Sequence, residues 1–216
     1  MTHFHRIARQ GPRVIAAITL AVLTGCSVLP QAESLQVYSL PEAQQGGTEQ
    51  AGALAAQGWA VRVQTPYSSG VLNSRRIVVR PDHSELSVYK GVRWSDPAPV
   101  LLRDRLVEAL RTRLPVLAFA HDSMNVVPDI ELGSDLNRFH VEYQDGLPVV
   151  QVQLDAFLFN PKTAQVVASR RFAVEQPVDG KDVPEVVSAF GVATNTLAAD
   201  IVAWVQRHAP NAPAEK

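Results

Sequence analysis

Reactive side chains are few in this 216-residue chain, and their placement limits the chemistry open to it. Cys26 is the one cysteine, so no intramolecular disulfide can form. Beyond it the histidines are His83, His121, His140 and His208, scattered without metal-ligand spacing, and they read as surface or satisfied side chains. No Gly-rich phosphate loop occurs, so ATP would have to be hydrolysed by a partner. No nucleophile stands beside a base and no carboxylate pair has a recognisable setting, so neither catalysis nor a metal or cofactor is expected. The segment Tyr89-Lys90-Gly91-Val92-Arg93-Trp94 differs, because aromatics and Arg are enriched where partners dock. Tyr89, Arg93 and Trp94 are therefore the candidate partner-binding residues; the competing reading is that Trp94 simply covers the start of the next helix.

The position of Cys26 gives the thiol a use. Arg6, Arg9 and Arg13 precede the apolar run Val14–Leu23, which is shorter than the ~20 residues a membrane span needs and leads into Thr24 and Gly25. Residues 1–25 read as a cleaved secretion signal. Leu23-Thr24-Gly25-Cys26 resembles the bacterial lipobox, which implies acylation of Cys26 and a membrane anchor facing the periplasm. Ser27 stands where an aspartate would be the usual inner-membrane retention signal, so the resemblance implies the outer membrane. The 216 residues less these 25 leave 191; three arginines and no acid are lost, moving the net charge from −1 to −4 and arguing against nucleic acid as a partner.

Residues 26–57 read as a Gln-, Ala-, Gly- and Pro-rich tether with one short strand at Leu35–Leu40, residues 58–208 as one domain, and residues 209–216 as a disordered tail. Trp59, Val61 and Val63 alternate as a half-buried strand, and Arg75–Arg80 with Leu86–Tyr89 read as a hairpin. Asp96 stands at the N-cap position of a helix in which Leu102, Leu106, Leu110 and Leu114 recur every four residues. Three strands follow, Asp135–Tyr143, Pro148–Phe159 and Ala164–Glu175, joined through Asp145-Gly146 and Asn160–Thr163. A second helix, Pro184–Arg207, closes the domain with Asp182 as its cap. The class is α+β: an antiparallel sheet with two main helices on one face.

Phe157 and Phe159 fall opposite Leu154, Ala156 and Leu158, so that strand ends apolar on both sides. Core packing, an oligomer contact and a lipid path are all open readings. Arg75-Arg76 and Arg170-Arg171 read as solvated or edge charges, with lipid headgroups as the alternative.

The lipobox, the early Tyr38-Ser39-Leu40-Pro41 element, a strand near Trp59, and Tyr89–Trp94 running into Asp96-Pro97 and a leucine-spaced helix together resemble one family. It is the ABC-type transport auxiliary lipoprotein family, which includes paraquat-inducible protein C, and the similarity spans about Leu35 to Val205. The resemblance implies a non-enzymatic, homo-oligomeric lipoprotein of the outer membrane. It implies that this lipoprotein docks an MCE-type tunnel protein fed by an inner-membrane ABC transporter. A stand-alone binder of lipid or another hydrophobic ligand is the runner-up, and a hydrolase with an unrecognised site the third reading.

Overall fold

Alternating apolar residues build the three long strands on which everything else rests. β7 (Ile130–Gln144), β8 (Leu147–Asn160) and β9 (Gln165–Pro177) form the expected antiparallel meander. This is a computed structural model, and it describes residues 35–42, 59–68, 70–82, 84–120 and 127–208. The signal, Cys26, His83, His121 and the tail lie outside the described residues, which belong to the unit beginning at Leu35. Asp145 and Gly146 join β7 to β8 with φ of 51° and 78°, the doubly left-handed turn that Asp-Gly favours. Between β8 and β9, the Asn160 side chain accepts the backbone N–H of Lys162, and Ala164 closes the loop at φ 56°.

The sheet is mixed where an antiparallel one was expected. One edge of β7 is taken by β8 along its length, and the other is shared by two short parallel strands. β2 (Ala60–Val63) pairs with Ile130–Leu132, and β3 (Val78–Arg80) with Val141 and Glu142. β4 (Ser87–Val88) completes the expected hairpin with β3, and β6 (Leu117–Phe119) runs parallel to β2. Parallel neighbours need a crossover, and α1 (Ala98–Arg113) supplies it between β2 and β6. Among the described residues β9 keeps an unpaired outer edge.

Both helices lie against one core. Leu102, Leu106 and Leu110 of α1 are fully buried, and Leu114 just beyond it nearly so. Asp96 does not cap this helix: Pro97 occupies the N-cap, and Asp96 instead lies 3.4 Å from Arg75, because the proline locks the entry in extended backbone. α2 (Val183–Arg207) begins with the expected cap, a box in which the Asp182 N–H donates to the Glu185 carboxylate at 2.8 Å. This helix is long and apolar enough to cross a membrane, yet Val186, Phe190, Ala193, Leu197, Ile201 and Val205 are fully buried within the domain. Its hydrophobicity serves the core. Across from it, Val150, Val152, Leu154, Ala156 and Leu158 of β8 turn inward, while Gln153, Asp155, Phe157 and Phe159 occupy the other face, only partly buried.

Candidate functional site

Two sequence segments far apart in the chain meet in a small ribbon beside the main sheet. β1 (Gln36–Tyr38) runs parallel to β5 (Val92–Trp94), pairing Gln36 with Val92, Val37 with Arg93 and Tyr38 with Trp94. Backbone bonds close both ends, from the Gln36 N–H to the Gly91 carbonyl at 2.9 Å and from the Ser95 N–H to the Tyr38 carbonyl at 2.6 Å. Alternation then sorts the side chains by face. Tyr38 and Trp94 turn toward the core, leaving Leu35, Val37 and Arg93 on the opposite side.

Trp94 is fully buried and has no surface to offer a partner, which corrects its place among the docking candidates. Its indole meets Phe190 edge-on at 5.2 Å and Phe139 at 6.0 Å, while those two rings stack at 4.7 Å. Tyr89 is half-buried, and burial followed by the neighbouring Tyr143 phenol pushes its hydroxyl pKa up to about 12. Arg93 is partly exposed, with its Nε buried and unpartnered. The three candidates thus share one stretch of chain but not one surface.

After β1 the chain is clamped. Leu40 enters the core, and the Pro41 ring lies against Gly191 of α2, where an added Cβ would sit 3.0–3.1 Å from it. Arg105 of α1, itself buried, donates to the Pro41 carbonyl and, at 2.7 Å, to the Asn195 side chain on α2. One guanidinium therefore ties both helices to the segment leading in from the amino terminus. The sequence reading missed Arg105; its position three residues after Leu102, on the buried stripe of the helix, was the available signal.

The outer sheet face carries paired charges. Arg171 grips Asp155 with two bonds of 2.6 and 2.7 Å, and Asn137 adds a third at 3.0 Å, so the Asp155 carboxyl is held below its ordinary range chiefly by Arg171. Lys162 at 2.8 Å, then the Ala60 N–H at 2.9 Å, lower the pKa of Asp129 in the same way. Arg62 and Gln64 both reach Glu131. Arg170, exposed like Arg171, lies 5.0 Å over the Phe172 ring. His140 is buried beside Gln151, and burial first, then the charge of Arg80, pushes its pKa down to about 4. Phe157, half-buried, spreads over Gly133 on this same face. Among the described residues no group of three or more His, Cys, Asp or Glu is placed to hold a metal ion. Two open concavities mix charged and apolar lining, one beside α1 at Asp104, Val107, Glu108 and Arg111 and one at Asp155, Phe157 and Arg171.

The model of the ABC-type transport auxiliary lipoprotein component matches residues 38–202. The chain belongs to that family. The match begins at Tyr38, where the ribbon registers on Trp94, and ends inside α2, so this auxiliary lipoprotein domain includes nearly all the elements described above. Protein XCC0632 from Xanthomonas campestris, carrying the family model DUF330, is similar at 28% identity and a TM-score of 0.66, covering 81% of this chain and 93% of that one. The crystal structure of an uncharacterized protein shares the fold at 19% identity and a TM-score of 0.64, covering 80% of this chain and 99% of the other. Among curated proteins there is no match.

Proposed function

We propose that this auxiliary lipoprotein is held at the outer membrane by acyl chains on Cys26, works as a homo-oligomer, and docks the periplasm-spanning tunnel protein of an MCE-type lipid transport system. Its role is positioning without turnover: an inner-membrane ABC transporter supplies the energy, and lipid passes through the partner or the joint assembly. The observation that carries the reading is the family match across residues 38–202, together with the lipobox-like Leu23–Cys26. One feature favours docking: among the described residues β9 offers thirteen residues of strand without an outer neighbour, an edge open to a protein contact. Tyr89, half-buried and close to the Tyr143 phenol, retains the surface that contact with a partner needs.

The test is cross-linking of the full precursor in its native envelope, followed by mass spectrometry of what is captured and of the membrane fraction holding it. Capture of an MCE-type protein in the outer-membrane fraction is the expected result. Lipid at fixed stoichiometry with no protein partner would overturn docking and favour a stand-alone lipid-binding lipoprotein.

A further inference from the structure

The β1–β5 ribbon presents a face that the core does not use. Leu35 and Val37 are 49% and 52% exposed, and strand alternation sets them side by side. The parallel register places the partly exposed Arg93 next to Val37 on that face. Lys90 is exposed in the turn that enters β5, one residue from the Gly91 carbonyl that accepts the Gln36 N–H. Arg75, whose carbonyl accepts the Trp94 N–H at 2.7 Å and whose side chain lies 3.4 Å from Asp96, and Arg76 are exposed cations at this end of the chain's path into the ribbon. Two bare aliphatic side chains bordered by Arg and Lys match the interfacial layer of an anionic bilayer, where aliphatic groups enter the acyl boundary and cations meet phosphates.

Chain length decides which bilayer. Leu35 lies nine positions after Cys26, and nine Cα-to-Cα steps reach at most about 30 Å when fully extended. An acylated Cys26 therefore keeps Leu35 within that distance of the membrane holding the acyl chains, so even weak contacts are favoured by high effective concentration. We propose that Leu35 and Val37 seat in the interface of the anchoring membrane and that Arg93 binds its lipid phosphates, orienting the domain on the bilayer. This rests on acylation of Cys26 and assigns Arg93 to lipid in place of a protein partner.

The experiment uses the full acylated chain, with acylation checked by intact mass, in vesicles of phosphatidylethanolamine and phosphatidylglycerol. Because Cys26 is the one cysteine and is consumed by lipid, Val37→Cys or Leu35→Cys gives a single free thiol for a nitroxide, with Val166→Cys on β9 as the control site. The expected result is that labels at 35 and 37 are several-fold less accessible to an aqueous nickel quencher and more accessible to oxygen than the label at 166. Arg93→Gln should remove the difference between phosphatidylglycerol-containing and pure phosphatidylcholine vesicles. Equal water exposure at 37 and 166 on acylated protein would overturn the ribbon's membrane contact while leaving tunnel docking intact. Protection that appears only when an MCE-type protein is added would overturn it too, reassigning the face to that partner. An unmodified Cys26 in the mature protein would remove the anchor itself, a separate failure read from the mass alone.

Discussion

Gly133 and Phe157 stand opposite each other across the β7–β8 ladder, and the Phe157 ring occupies the space that a side chain at 133 would fill. A glycine weakens a strand unless a neighbour covers its bare backbone, and here the aromatic does so. Gly133→Ala should force the ring aside and cost about 1–2 kcal/mol, a fall of roughly 3–6 °C in Tm. In a Phe157→Ala background the same change should cost nothing or gain slightly. Thermal unfolding of the four proteins of this cycle measures the coupling, and equal effects in both backgrounds would refute the packing argument.

Arg105 should matter far more than a surface arginine. Arg105→Met keeps the apolar stem but abandons the Pro41 carbonyl and Asn195, with an expected loss of about 2–3 kcal/mol in urea denaturation. Arg105→Lys should recover little, since one ammonium lacks the planar fork that spans both acceptors. Limited proteolysis should cut faster near residues 39–42 in either variant. An unchanged urea midpoint would show that the clamp is idle.

His140 predicts how stability responds to acid. Its pKa falls from an ordinary value near 6.5 to about 4, so the folded protein favours the neutral ring and the unfolded chain binds the proton more readily. The stabilisation is complete above about pH 6.5 and declines as pH drops toward 4, by about 3 kcal/mol in all. Arg80 and Arg138 oppose the charge on this ring, and Glu142 favours it. His140→Gln should flatten the stability curve between pH 6.5 and 4. Asp129 and Asp155, whose pKa values are lowered by Lys162 and Arg171, add a separate loss below the usual carboxylate range. Denaturation at fixed pH values distinguishes the two phases.

The two hairpin turns should respond to opposite substitutions. Ala164 sits at φ 56°, a strained region for a residue with a Cβ, so Ala164→Gly should raise stability by about 0.5–1 kcal/mol despite the freer unfolded chain. Gly146 at φ 78° meets the same penalty in reverse, and Gly146→Ala should lower stability by about 1 kcal/mol. Matching signs in calorimetry would contradict this account.

Much of the architecture was legible because its signals are local. The meander is written in the alternation of Val150, Val152 and Leu154 and in the Asp145-Gly146 pair; the helices show in the leucine spacing of α1 and the Asp182 cap of α2. The parallel placement of β2 and β3 against β7 depends on crossovers that no local pattern reports. Trp94 illustrates the same gap within the site. Its residue type suggested contact, but its burial follows from registry with Tyr38 across more than fifty residues of chain. The sequence showed Phe157 as apolar on the wrong face without showing Gly133 beneath it.

The ribbon also determines how the domain bears load. A pull on the chain ahead of Leu35, directed along β1, strains the β1–β5 bonds together in shear, the direction in which a short ladder resists best. Force that passes the ladder arrives at Pro41, held by its carbonyl to α1 and stopped by its ring against α2. Tension along this path therefore meets the two helices before it reaches the hydrogen bonds of the meander.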